Sequence, residues 1–321
     1  MDNQYLVLAY YHFVAIPNPE QEVRAHKEFL KGKNIKCRIY LCKDGINGQT
    51  SGSFQDAQLY MEWLKQNPLF KDVKFKVHFY HENVFPRATV KLRPQLAALD
   101  VSFNIEQTGE HVSPKKWKEM LASKDEDTIL IDVRNNYEWE IGHFEGAELP
   151  NLEKFRDFPA YANNLKQTKD VEKTKVLMYC TGGIRCEIYS AFLKEKGFEH
   201  VYQLDGGVIQ YGLDEGNAHW KGKLFVFDDR MSVPIANDGE SEIISSCSHC
   251  SNPSDIYYNC AHMDCNHLFL SCPDCADKMK GCCSQACLDV PPDRLRLYVK
   301  TDRPKPFRRL SQTMTECGCG G

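Results

Sequence analysis

The 321-residue sequence contains no apolar run near the roughly 18–20 residues that a membrane helix needs. Its first apolar stretch, Tyr5 to Val14, has no positive charges ahead of it and ends in polar and proline residues. It reads as a strand entering a turn, not as an export signal, so a cytoplasmic protein is expected. No iron, flavin, haem or nucleotide-binding signature is visible. The 15 cysteines are not dispersed as in an oxidised scaffold; nine of them fall between Cys247 and Cys287. Without an export signal, that clustering favours metal binding over disulfides. Charge of one sign is scarce only locally. Residues 1–100 carry 14 Lys+Arg against 10 Asp+Glu, residues 101–246 carry 17 against 26, and residues 294–309 carry seven basic side chains and one acid. Basic ends around an acidic middle suit a nucleic-acid partner, and equally suit solvated faces with a basic tail.

The length allows two or three domains. Residues 1–99 read as strand, helix, strand, strand, helix, strand, the order of a small ferredoxin-like (acylphosphatase-like) α+β domain. Asn18-Pro19 and Ser53 are helix-start signals, and Asp44 to Gly48 has turn chemistry. Phe75, Val77 and Phe79 alternate along a half-buried strand. Tyr10, Tyr11, His12, Arg87, Lys91 and Arg93 would suit contacts to RNA, although each taken singly fits a core or a solvated face as well. Residues 82–112 read as a linker with Pro86 and Pro94. Ser113-Pro114 then opens a second domain over 111–214. Its apolar strands, Thr128 to Val133, Val176 to Tyr179 and His200 to Leu204, alternate with helical stretches. That pattern predicts an α/β fold with a parallel sheet covered on both faces. Asp132, Cys180 and Asp205 fall at strand C-terminal ends, where such sheets carry chemistry. Residues 224–321 form a cysteine-rich third region.

Cys180 ends a buried strand, and Thr181-Gly182-Gly183-Ile184-Arg185 leads into a helix expected from about Glu187 to Glu195. Inward-pointing loop amides and a helix N-terminus make an anion cradle. A thiol there should have a lowered pKa, with Arg185 adding positive charge. Cys180 alone could be a small buried hydrophobe, but the Gly-Gly pair and Arg185 would not serve one. Asp132 and Arg134 either shape the pocket or form a structural ion pair. His143 fits a satisfied structural histidine, and Cys186 fits packing better than a resolving thiol.

The run Cys-Thr-Gly-Gly-Ile-Arg resembles the six-residue active-site loop of rhodanese-like domains, which wraps a cysteine persulfide. Asp132-Val133-Arg134, Tyr137-Glu138, Gly142-His143, Gly146-Ala147, Leu149-Pro150 and Leu204-Asp205-Gly206-Gly207 are similar to the rest of that domain's pattern. With the preceding ferredoxin-like domain, Gly45-Ile46-Asn47-Gly48, and Phe225 to Met231 before a cysteine-rich tail, the whole chain resembles the bacterial tRNA uridine hydroxylase (TrhO) family. The resemblance implies oxygen-dependent 5-hydroxylation of the wobble uridine, position 34 of tRNA. It makes tRNA the partner, molecular oxygen the co-substrate and Cys180 the essential cysteine. Arg185 is expected beside it in catalysis, with Thr181, Gly182, Gly183 and Ile184 as the anion-binding loop. A sulfurtransferase passing sulfane sulfur through a Cys180 persulfide is the competing reading. Thr315 to Gly321, with Cys317 and Cys319, has no counterpart in the resemblance.

In the tail, Cys247-x2-Cys250, Cys260-x4-Cys265, Cys272-x2-Cys275 and Cys282-Cys283-x3-Cys287 have the spacing of structural zinc knuckles. A cross-braced pair of sites would join Cys247, Cys250, Cys272 and Cys275 in one and Cys260, Cys265, Cys283 and Cys287 in the other. His249, His262 and His267 are possible substitutes, and a metal-free redox-labile cluster is the alternative.

Overall fold

A computed structural model describes residues 4–101, 103–236, 241–301, 304 and 306. Cys317, Cys319 and the basic residues Arg303, Lys305, Arg308 and Arg309 lie outside the described residues. The chain divides into two compact units, residues 1–244 and 245–321.

The first unit opens with β1 (Tyr5–Phe13), α1 (Pro19–Phe29), β2 (Ile35–Cys42), β3 (Gly45–Ser53), α2 (Phe54–Gln66), β4 (Lys76–Tyr80) and β5 (Ala88–Leu92). The sheet order β4-β1-β3-β2 is antiparallel throughout, and β5 adds parallel to β2. This is the expected ferredoxin-like arrangement with one further edge strand. Both helix starts are capped: Asn18 Oδ1 accepts from Gln21 N and Ser53 Oγ from Asp56 N. Two expectations need correcting. Gly45 to Gly48 belong to β3, leaving only Lys43 and Asp44 as the turn. Their glycines serve close approach: a Cβ on Gly48 would lie 2.1 Å from the Tyr10 ring. The supposed linker 82–112 holds β5 and β6 (Glu110–Val112). An exposed edge strand and a three-residue strand are too short or too wet to show periodicity.

After β6 come α3 (Pro114–Ala122), β7 (Thr128–Asp132), α4 (Asn136–Trp139), β8 (Gly142–Phe144), α5 (Phe158–Thr168), β9 (Lys175–Tyr179), α6 (Ile184–Glu195), β10 (His200–Leu204), α7 (Gly207–Glu215) and β11 (Trp220–Gly222). The sheet runs β6-β10-β9-β7, all parallel. Its two faces bury alternate residues. Ile131, Val176 and Met178 pack with Phe158 and Phe192 on one side, while Leu130, Leu177 and Tyr179 pack with Trp117 and Tyr211 on the other. Phe13 and Ala9 of β1 pack against these two cores, whereas Leu6, Leu8 and Tyr10 face the first domain's own core. The N-terminal sheet is thus covered on both faces, which explains the nearly continuous apolar run of β1. Then β12 (Leu224–Phe225) pairs with β13 (Ser232–Val233).

The second unit holds a short hairpin, β14 (Tyr257–Asn259) with β15 (Leu268–Leu270), then α8 (Pro273–Lys278) and α9 (Gln285–Leu288). Tyr258, Phe269, Ala276 and Cys282 make its small core. No helix among the described residues is long and apolar enough to cross a membrane.

Candidate active site and candidate metal centres

Helix α6 starts at Ile184, three residues earlier than expected, because Gly183 takes a left-handed backbone (φ +101°) at its N-cap. Ile184 and Arg185 therefore sit in the first helical turn, with its free amides around Cys180. Gly183 N–H donates to Cys180 Sγ at 3.1 Å. The loop is held from behind by the start of α7: Val208 N donates to the Cys180 carbonyl and Ile209 N to that of Thr181, at 3.0 and 3.1 Å. This needs a glycine at 207, since a Cβ there would lie 2.6 Å from the Cys180 carbonyl oxygen.

Burial alone would push the Cys180 thiol up. The Cys186 side chain, the Arg185 charge and the amides of Cys186 and Gly183 outweigh it and bring the pKa down to about 5. Burial, then Cys180 itself, pushes Cys186 far up, so Cys186 stays a thiol beside the Cys180 thiolate. Its full burial fits that supporting part.

Arg185 is not a free cation. Its Nη1 and Nη2 donate to Glu138 Oε2 and Oε1 at 2.5 and 2.7 Å, and Nη2 also reaches Thr181 Oγ1 at 3.3 Å. Thr181 Oγ1 donates to Glu138 Oε1 at 3.2 Å. Glu138 exposes no surface; burial opposes its ionisation, but Arg185 and then Arg134 hold its carboxyl below the usual range. Asp132 and Arg134 lie deeper. Arg134 donates through Nε to Asp132 Oδ1 at 2.8 Å and through Nη2 to Asp132 Oδ2 and the Gly142 carbonyl, both at 2.6 Å. Both residues are fully buried, the guanidinium sits over the Tyr179 and Trp220 rings, and neither lines the cavity. His143 donates from Nδ1 to the Trp139 carbonyl at 2.8 Å, as a satisfied structural histidine does.

Cys180, Thr181, Gly182, Ile184 and Arg185 line one wall of a cavity of about 690 Å³. The N-terminal sheet supplies the opposite wall. Its cross-strand register places Lys76, Ala9, Gln49 and Arg38 in one row, with Asn47 and Tyr40 in the next. Arg38, Lys154 and Arg156 are exposed cations on the lining. Cys180 lines this cavity while keeping almost no exposed surface of its own.

Tyr11 leans on this loop: a Cβ on Gly183 would meet its hydroxyl at 2.8 Å, and that hydroxyl donates to Glu187 Oε1 at 3.0 Å. Glu187 also accepts from Gln203 at 3.1 Å and lies 3.2 Å from His111 Nε2, which raises the His111 pKa. Tyr10, by contrast, is core, its hydroxyl 2.5 Å from that of Tyr60. Arg87, Lys91 and Arg93 are exposed around β5.

In the second unit, the ligand atoms of Cys247, Cys250, Cys272 and Cys275 lie within 4.8 Å of one another, and so do those of Cys260, Cys265, Cys283 and Cys287. These are the two cross-braced sets expected from the spacing. The sulfurs of Cys250 and Cys272 are 3.7 Å apart, those of Cys265 and Cys283 3.7 Å, and those of Cys283 and Cys287 3.8 Å. Four sulfurs about 2.3 Å from one ion have tetrahedral edges of about 3.8 Å, whereas a disulfide needs about 2.05 Å. The donor sets therefore fit a tetrahedral metal such as zinc. His249, His262 and His267 belong to neither set, and Cys282 turns into the core.

Three family models match the chain: a UPF0176 acylphosphatase-like domain over residues 5–96, a rhodanese-like domain over 113–212 and a rhodanese C-terminal domain over 221–288. A tRNA uridine(34) hydroxylase of Protochlamydia amoebophila is 55% identical over 95% of this chain and 94% of its own. The chain belongs to the tRNA uridine(34) hydroxylase family. A member from Chlamydia felis is 53% identical over 97% of this chain and 94% of its own. Among solved structures, a rhodanese-like domain from Anabaena is 18% identical over 44% of this chain and 96% of its own, with a TM-score of 0.29.

Cys180 and Arg185 are legible in the loop pattern, whereas the groups that hold them are not. Glu138 was visible only as part of the Tyr137-Glu138 run, and nothing in the spacing tied it to a residue 47 positions later. Lys76 was hidden by its strand pattern. Lys76-Val77-His78-Phe79 suggests an exposed lysine and a buried Phe79, yet Lys76 is 6% exposed and Phe79 63%.

Proposed function

We propose that this protein is a tRNA-modifying enzyme of the cytoplasm that hydroxylates C5 of uridine 34, with molecular oxygen as co-substrate and Cys180 as nucleophile. The observation that carries the reading is the near-full-length identity to relatives named for that activity. The site agrees chemically. A low-pKa thiolate faces a nucleotide-sized cavity, within the roughly 300–1,000 Å³ usual for ligand sites, and exposed arginine and lysine side chains on its lining suit a phosphate backbone.

C5 of uracil is a weak nucleophile. Addition of the Cys180 thiolate to C6 forms the S–C6 bond and shifts the C5–C6 π pair toward O4, giving an enolate that is nucleophilic at C5. Converting C5–H to C5–OH with O2 sends the second oxygen atom to water and requires a two-electron donor. The amides of Gly183 and Cys186 hold the sulfur anion. Arg185, locked by Glu138, fixes the loop and keeps the thiol ionised, and Asp132 with Arg134 braces the strand end beneath. The tail's two cysteine sets would each hold a structural zinc ion.

Nucleoside analysis of tRNA from cells with and without the gene tests the reading. Loss of 5-hydroxyuridine-derived nucleosides without the gene is expected, and one 18O atom per new hydroxyl after growth under 18O2. Unchanged nucleosides would overturn it. A sulfane sulfur on the Cys180 peptide during turnover, with unchanged wobble uridines, would instead favour the sulfurtransferase.

A further inference from the structure

Arg185 was the expected source of positive charge for the reacting anion, but Glu138 takes both of its terminal nitrogens. A different cation faces the same cavity. Lys76, on β4, is the only buried lysine among the described residues, and its ammonium makes no hydrogen bond or ion pair there. The register sets it beside Ala9 of β1, and its ammonium lies 5.2 Å from the centre of the Tyr11 ring. Its Cε would be 3.2 Å from a Cβ on Gly206, two residues before Val208, whose N–H donates to the Cys180 carbonyl. The N-terminal sheet thus delivers a cation with no hydrogen-bonded anion to the cavity that the Cys180 loop lines.

Position separates its task from that of the rim. Arg38, Lys154 and Arg156 are exposed and can meet hydrated phosphates, whereas a phosphate brought as deep as Lys76 would lose its hydration. A neutral base can enter that far. Gln49, in the same cross-strand row, has a side-chain amide with no hydrogen-bond partner among the described residues, suited to the donor and acceptor edge of a uracil.

We propose that Lys76 is a catalytic residue that the N-terminal domain contributes to the rhodanese-type site, binding the uracil carbonyl oxygen that becomes anionic when the Cys180 thiolate adds at C6. In that step the S–C6 bond forms, the C5–C6 π pair moves through C4 onto O4, and the ammonium meets the new O4 charge; reversal returns both charges to where they began. No oxidant takes part. The ground-state base is neutral and the adduct is not, so the contact strengthens along the reaction coordinate, as catalysis requires. Burial, the largest effect, brings the Lys76 pKa down to about 8, against the pull of Cys180 and Asp205, so the ammonium remains mostly charged at neutral pH. The proposal rests on the hydroxylase reading above.

The test is to complement a strain lacking its uridine 34 hydroxylase with wild type, Lys76→Met and Lys76→Gln. One reads 5-hydroxyuridine-derived nucleosides per unit of enzyme and, separately, the melting temperature of each purified full chain. In the apo protein the Lys76 ammonium is buried with no hydrogen bond to offset its lost hydration, only the Tyr11 ring and the attraction of the Cys180 and Asp205 charges. Its replacement should therefore leave the fold unchanged or raise the melting temperature by a few degrees. The expected result is at least about a tenfold fall in modification with an equal or higher melting temperature. Full modification by either variant would overturn the proposal. So would a lowered melting temperature in both, which would make Lys76 a structural tie between the domains. Failure of the wild type itself to restore modification would sink the hydroxylase reading, and this inference with it, and is distinguished by occurring before any substitution.

Discussion

Glu138 and Arg185 form the buried ion pair on which the loop depends, and removing either partner should be costly for the same reason. Side-chain exposure is 0% for Glu138 and 11% for Arg185, and the two bonds are 2.5 and 2.7 Å. Glu138→Gln strands a guanidinium and Arg185→Met strands a carboxylate, each at about 3–5 kcal/mol. At roughly 2–4 °C per kcal/mol for a domain of this size, that is a fall of about 6–20 °C in melting temperature. The double variant leaves no stranded charge, so it should lose less than the sum of the singles by about 2 kcal/mol or more. Thiol acidity separates the two singles. Arg185→Met removes a charge that holds Cys180 down and should raise its pKa; Glu138→Gln leaves that charge uncompensated and should lower it further. Urea denaturation and the pH profile of Cys180 alkylation read the two quantities. Additive stabilities, or acidity shifts of the same sign, would refute the reasoning.

Further expectations concern separate parts of the molecule. In the wild type the thiolate forms as pH rises through about 5, so Cys180 alkylation should climb through that pH and level off before 7, falling as pH is lowered; a midpoint near 8.5 would contradict the cradle. Gly207→Ala puts a Cβ 2.6 Å from the Cys180 carbonyl at φ +66°, and should cost roughly 1–3 kcal/mol. Gly182→Ala meets nothing within 4 Å and should leave the melting temperature within a degree or two. Elemental analysis should find about two zinc ions per chain, and Cys272→Ser or Cys283→Ser should each release one; less than a tenth of an equivalent in the wild type would reject both sites.

Much of this architecture is legible in the residues because local signals agree with it. The capped helices after Asn18, Ser53 and Ser113, the continuous apolar strand ending at Cys180, and the paired cysteines of the tail are all short-range patterns. What escaped is non-local. Edge strand β5 is mostly exposed, so it carries no apolar alternation, and the glycines of β3 look like a turn because their close approach to β1 is invisible until the strands are paired. At the site, Cys180 was readable from its loop. Its support by Glu138, and the arrival of Tyr11 and Lys76 from another domain, depend on a docked sheet that buries polar residues on a face where periodicity expects water.

The central claim is that the Cys180 thiolate drives modification of uridine 34. The most direct measurement is the mass of the position-34 nucleotide in tRNA from a hydroxylase-deficient strain carrying either wild type or Cys180→Ser at equal protein level. The account predicts an added oxygen atom at that position with the wild type and none with Cys180→Ser. An added oxygen with Cys180→Ser, or none with the wild type, would contradict it.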